Sequence, residues 1–273
     1  MEIYSIEFLR IAIILIGCAI AAYSDFKTGL IYDKVTYAMI GLGLILNALE
    51  FDLMLFSVGT AVFVCGYVAY RLGKVGGGDV KLLTGIALLL PFYGDFIFVV
   101  NVVFAASAIS VIVLATYYSL KYAKKGIEWK SELPGIIQAG FFGAAIILYF
   151  GLLFQMKLIS FDGAVLMAGI LLFALLFLAL QHGIRKNFFL KEVELGKLEE
   201  DEVLADEFIG KETKDALGLK FKGVLGEKEI AKLKEMGVAK VPVYRDMPPF
   251  APFILIGVLI SLLEPNFIGL IFI

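Results

Sequence analysis

Long apolar runs constrain this chain more than any other feature of it. In hydrocarbon every backbone N–H and C=O must find a partner inside the protein, and a helix of about 20 apolar residues does this while covering the ~30 Å core of a bilayer. Eight segments have the composition for it, at residues 6–24, 35–49, 53–72, 80–90, 96–120, 133–154, 163–181 and 250–271. The fourth is short, and Pro91 is expected to end or kink it. With 60% hydrophobic and 18% charged residues and a mean hydropathy of +0.92, the solvent of this chain is lipid. The expected fold class is an all-α polytopic membrane protein of about eight transmembrane helices carrying a small cytoplasmic α+β insertion.

The same composition excludes other classes. A net charge of −2 supplies no basic face to neutralise a phosphate backbone, so no nucleic-acid partner is expected. Cys18 and Cys65 lie inside apolar runs and form no Cys-x-x-Cys pair, which suggests neither a metal site nor a disulfide. The first run follows Met1 and Glu2 and closes in charged residues instead of a small-residue cleavage site, so it reads as a retained span. Lys and Arg accumulate in cytoplasmic loops. If eight spans alternate, all of the 24 basic residues except Arg10 and Lys157 fall on one side, while Glu50, Asp52, Asp95 and Asp162 fall on the other. This predicts a multi-pass plasma-membrane protein with basic loops inside and both termini outside.

Residues 183–249 depart from the apolar pattern. Acids and bases alternate there in near-equal numbers with apolar residues between them, as in a small soluble domain. The stretches 192–195 and 203–205 have the composition of short strands, and 227–236 has helical spacing with Gly226 and Gly237 at its edges. The chain is therefore expected to divide into a membrane core at 1–182, a cytoplasmic domain at 183–249 and a last membrane helix at 250–273.

Two places put ionisable groups at the inner ends of spans, where they are costly and so mark function. Asp25 lies at the end of span one, in Ser24-Asp25-Phe26-Lys27, and Asp79 lies at the start of span four, behind Gly76, Gly77 and Gly78. Successive glycines permit positive φ and close backbone approach, so this loop is expected to hold an unusual turn with Asp79 as N-cap or first-turn residue. Two carboxylates on one membrane face can hydrolyse an amide: one ionised group takes a proton from water, and the other, neutral, donates to the carbonyl oxygen. Lys81 reads as an inner-face anchor that pairs with a carboxylate, and Asp33 as the N-cap of span two. His182 reads as an interfacial residue, and Asn101, Ser107, Ser110 and Gln138 as hydrogen-bonding residues between helices.

Together these residues resemble a known family. The motif Gly76-x-Gly78-Asp79 with Lys81-Leu82 behind it, and Asp25 followed by Ile31-Tyr32-Asp33, are similar to the type IV prepilin peptidases, most closely their archaeal prepilin and preflagellin peptidase branch. The Pro-rich run Met247-Pro248-Pro249-Phe250-Ala251-Pro252 looks like the approach to the last helix of those enzymes. The resemblance implies that Asp25 and Asp79 are the catalytic pair and that Gly76, Gly77, Gly78 and Lys81 form the active-site loop. It also implies that no metal or organic cofactor is needed, and that the partners are prepilin- or preflagellin-type substrates whose short basic leader is removed at the cytoplasmic face. Tyr32 departs from the proline usual in bacterial relatives, and the cysteine-rich segment of their methylating members has no counterpart here, so peptidase activity alone is expected.

Other readings stand beside this one. An ion-coupled carrier also uses membrane aspartates and Gly-broken helices, but places its site near the bilayer midplane. A presenilin-like intramembrane protease shares the Gly-x-Gly-Asp motif, although this chain lacks a Pro-Ala-Leu triplet. A catalytically silent scaffold with 183–249 as its working part is the third. Neither a Ser-His-Asp nor a His-Glu-x-x-His arrangement is available.

Overall fold

The computed structural model describes residues 2–50, 53–198, 202–210, 225–235 and 240–269; Asp52, Met236 and Gly237 lie outside them. Elements are numbered in chain order among the described residues. Helix α1 (Glu2–Thr28) stops where Gly29 takes φ +70° and its N–H returns to the Asp25 carbonyl at 2.8 Å. Helices α2 (Asp33–Glu50) and α3 (Leu53–Arg71) follow, and α4 (Gly77–Leu89) ends one residue before the Leu90-Pro91 step, as a helix must when proline is next. A hairpin of β1 (Phe92–Tyr93) and β2 (Phe96–Ile97) turns on Gly94 at φ +62° and leads into α5 (Phe98–Lys125). The long pair α6 (Trp129–Gln155) and α7 (Phe161–Ile184) completes the first helical part.

One turn of π-helix, Arg185–Phe189, delivers the chain to β3 (Leu190–Glu194). Strand β4 (Val203–Leu204), helix α8 (Glu227–Glu235) and strand β5 (Lys240–Tyr244) follow, and the chain returns to helix at α9 (Ala251–Leu263). The sheet is antiparallel in the order β3-β5-β4. Pro242 sits in the middle strand, and its missing N–H faces the β4 side just where β4 ends; only its carbonyl is used there, by the N–H of Ala205 at 3.0 Å. Val193, Leu204, Leu225, Leu233, Val241 and Val243 give the sheet and α8 a core of their own.

Eight spans were expected; among the described residues five helices are long and apolar enough to cross a membrane, namely α1, α3, α5, α6 and α7, and the other three, α2, α4 and α9, fall outside that set. The physical reason is what apolarity is used for. Helix α4 has 13 residues, about 20 Å at 1.5 Å per residue, too short for the ~30 Å hydrocarbon core. Its apolar residues face protein: Val80, Leu82, Ile86, Ala87, Leu88 and Leu89 are all buried. Helix α9 is equally short, because Pro265 closes off the run expected to extend to residue 271. Helix α2 carries Asp33, Lys34 and Glu50 within its 18 residues.

The main core lies between α1, α2, α4, α5 and α9, around Ile14, Cys18, Met39, Leu82, Phe98 and Ile254. Glycines let α4 into it: a Cβ on Gly43 of α2 would lie 2.7 Å from Leu88, and one on Gly59 of α3 2.3 Å from the same side chain. The C-terminal carbonyls of α4 meet a buried cation. Arg10 donates to the Leu89 carbonyl at 2.6 Å, to Asn47 at 2.9 Å and to Glu50 at 3.0 Å. Helix α4 therefore has a cation at its negative end and, at Asp79, an acid at its positive end, as the helix dipole favours.

Candidate active site

Asp25 stands in the last turn of α1 and is 8% exposed. Its Oδ2 accepts a hydrogen bond from the backbone N–H of Ala251 at 2.9 Å. Ala251 is the first residue of α9, where amide hydrogens have no partner inside the helix. Pro248, Pro249 and Pro252 shape that end. The chain's last described helix thus reaches back 226 residues to hold the carboxylate. Sequence reasoning placed the Pro-rich run beside the last helix but gave Ala251 no role; proline near a helix start, with its cluster of free amides, was the available signal.

Asp79 is the third residue of α4, and Gly76, in extended conformation at φ −68° and ψ 143°, is the N-cap. The carboxylate lies beside the Gly76 backbone, in the helix's first turn, where an acid is favoured by the free amides. Its Oδ1 is buried and has no hydrogen-bond partner among the described residues. The glycines act differently from expectation. None of Gly76, Gly77 and Gly78 has positive φ; that conformation falls on Gly73, at φ +66°. What the three supply is room: a Cβ on Gly76 would lie 2.9 Å from Asp79 Oδ2, and one on Gly78 3.0 Å from the Cβ of Ile31. Gly78 lets the start of α4 press against the segment that follows Asp25. The two aspartates are brought close enough for the charge of Asp25 to act on Asp79.

Lys81 donates to Asp33 Oδ1 at 2.6 Å and lies 5.0 Å from the centre of the Tyr37 ring. Asp33, expected as a cap, is the first residue of α2 and spends its carboxylate on this ion pair. The contact staples α2 to α4 just behind Asp79. Both partners are partly exposed, so it is worth at most about 1 kcal/mol.

Residues 12–114 match the type IV leader peptidase family. Both aspartates, the three glycines and the Lys81–Asp33 pair fall inside the matched stretch. A curated protein of Methanothermobacter thermautotrophicus, named prepilin peptidase EppA, is 42% identical over 100 residues, which are 34% of this chain and 26% of that protein. The chain thus spans about a quarter of the length of that relative. No solved structure matches. The likeness to type IV leader peptidases that Gly76-x-Gly78-Asp79 carries in the sequence is therefore found by comparison as well.

The remaining candidates lie elsewhere. His182 stacks on Phe208 of the sheet region, with ring centres 5.3 Å apart. Asn101 donates to the Pro265 carbonyl at 2.6 Å and ties α5 to the turn after α9, whereas Ser110 bonds within its own helix, to the Ser107 carbonyl. Among the described residues no group of three or more His, Cys, Asp or Glu could hold a metal ion.

Proposed function

We propose that this chain is a membrane-embedded aspartyl endopeptidase that removes the short basic leader of prepilin- or preflagellin-type proteins. The observation that carries the reading is the close approach of Gly78, next to Asp79, to Ile31, in the segment that follows Asp25, which brings the two aspartates within electrostatic reach of each other inside the stretch that matches leader peptidases. Two carboxylates at one site keep a proton between them. The ionised member takes a proton from water as its oxygen adds to the scissile carbonyl, and the protonated member donates to the carbonyl oxygen. Collapse of the adduct restores the carbonyl, breaks the C–N bond and passes a proton to the leaving amine.

On this reading 1–182 and 250–273 form the membrane core and 183–249 a cytoplasmic domain, with the basic loops and the active site on the cytoplasmic side. Gly76, Gly77 and Gly78 shape the cleft, and Lys81 holds its α2 wall. The positions of the pair, three residues from the end of α1 and in the first turn of α4, favour a peptidase working at the membrane face over a carrier with its site at mid-helix. The test is cleavage of a synthetic prepilin-type peptide by the full chain in lipid nanodiscs. Asp25→Asn and Asp79→Asn should each lower the rate about 100-fold or more while the protein stays inserted. Substantial cleavage by either variant refutes the pair.

A further inference from the structure

A cavity of about 680 Å³ lies between the membrane helices and the sheet domain, well within the ~300–1,000 Å³ typical of ligand sites. Its membrane-side walls are Val111, Leu114 and Tyr118 of α5 with Ala174 and Phe177 of α7, and its opposite wall is Val203 and Leu204 of β4. We propose that this cavity receives a polypeptide segment with apolar side chains, the part of the substrate beyond the scissile bond, and that the sheet domain is the second wall of the substrate site. The proposal rests on the peptidase reading above.

Three observations carry it. The first is continuity. The cavity's walls include Leu72, Gly73 and Lys74, two residues short of Gly76, and Met247 and Pro248, three residues short of the Ala251 amide that holds Asp25. A chain lying in the cavity and leaving past these two segments runs toward both carboxylates. The second is reach. Ala174 of α7 and Arg185, the residue that follows α7, both line the cavity and are eleven residues apart, so it extends about 16 Å along the helix, room for four or five residues of extended chain. The third is charge. Arg185 is ion-paired with Glu207, which also accepts from Tyr244 at 3.2 Å, and Lys74 has no ion-pair partner among the described residues. The excess is positive. A basic leader is repelled from such a cavity and an apolar segment is not.

The experiment uses the full chain in nanodiscs and a synthetic peptide with a lysine-rich leader followed by a leucine- and valine-rich segment. Cleavage by the unmodified protein reads the peptidase proposal by itself; its absence removes that proposal and this one with it. Given cleavage, Ala174→Trp and Val203→Trp fill the cavity from opposite walls and should each raise KM about tenfold. They should leave kcat within about twofold, which also shows that the proteins are folded. Leu148→Trp, on the outward face of α6, should change neither. In Asp79→Asn protein, a benzophenone in the apolar segment should cross-link to α5, α7 or β4, and one in the leader should not. Unchanged KM in both filling variants overturns the inference while leaving the peptidase standing. So does cross-linking from the leader alone, or labelling of these walls by a photoreactive phospholipid that saturating peptide does not reduce, which would mark a lipid site.

Discussion

Helices α1 and α6 have the same mean hydropathy over their most apolar windows, 2.1, yet α1 buries 33% of its window inside the protein and α6 only 6%. Ile14, Cys18 and Ala21 on one face of α1 join Leu82, Ile86 and Leu89 of α4 and Ile254 and Val258 of α9 in a single buried core, which fixes the helix ends that carry Asp25 and Asp79. The α6–α7 pair faces outward. The two helices approach closely at Gly135, where a Cβ would lie 2.8 Å from the Ala179 carbonyl, and share one polar node. There the fully buried Glu132 accepts from Tyr122 at 3.1 Å and from the Gly183 N–H at 2.9 Å. Equal apolarity therefore serves two ends: internal precision in one region and compatibility with lipid in the other.

Substitutions placed in pairs sharpen this contrast. After loss of either aspartate, the largest effect should come from Gly78→Leu, whose side chain must displace Ile31. Peptide cleavage should fall about 100-fold, since displacement of a catalytic group by about 1 Å costs that much. Gly140→Leu on α6 meets open space and should cleave at the normal rate. Next in size, Leu82→Ala in the α4 core should destabilise by about 2–3 kcal/mol in thermal unfolding in detergent. Phe141→Ala, 73% exposed on α6, should stay within about 0.5 kcal/mol. Tyr122→Phe, which removes one donor from Glu132, should cost about 1 kcal/mol in the same measurement and loosen α5 from α6 without changing cleavage. The smallest effect belongs to Lys81→Met: breaking the exposed pair with Asp33 should cost under about 1 kcal/mol, and less at high salt. A large loss of stability there would mean that the staple, and not the Gly78–Ile31 contact, seats α4.

What could be read in advance follows the same divide. Asp25 and Asp79 stood out because a carboxylate is anomalous in an apolar chain, and Pro91 marked the end of α4 by its chemistry. Strands near 192 and 203 and the helix from Glu227 were visible as changes of period. Which apolar helices are long enough to cross was not, because an apolar side chain reads the same whether it faces outward, as on α6, or meets Leu88 and Met39, as around α4. The donor to Asp25 was hidden for a different reason. It is a main-chain amide, which every residue but proline has, and only the fold brings position 251 to position 25.

The sheet region leaves the membrane helices at β3 and comes back at β5, and these strands pair from Leu190 opposite Tyr244 to Glu194 opposite Lys240. Departure and return are therefore neighbours, bonded also by the Arg245 N–H to the Phe189 carbonyl at 2.9 Å. Such a module is a graft. Everything beyond that doorway can be exchanged for a short bridge, or for the corresponding piece of another chain, without asking α7 or α9 to shift, so a chimaera series could vary one wall of the cavity while Asp25 keeps its amide.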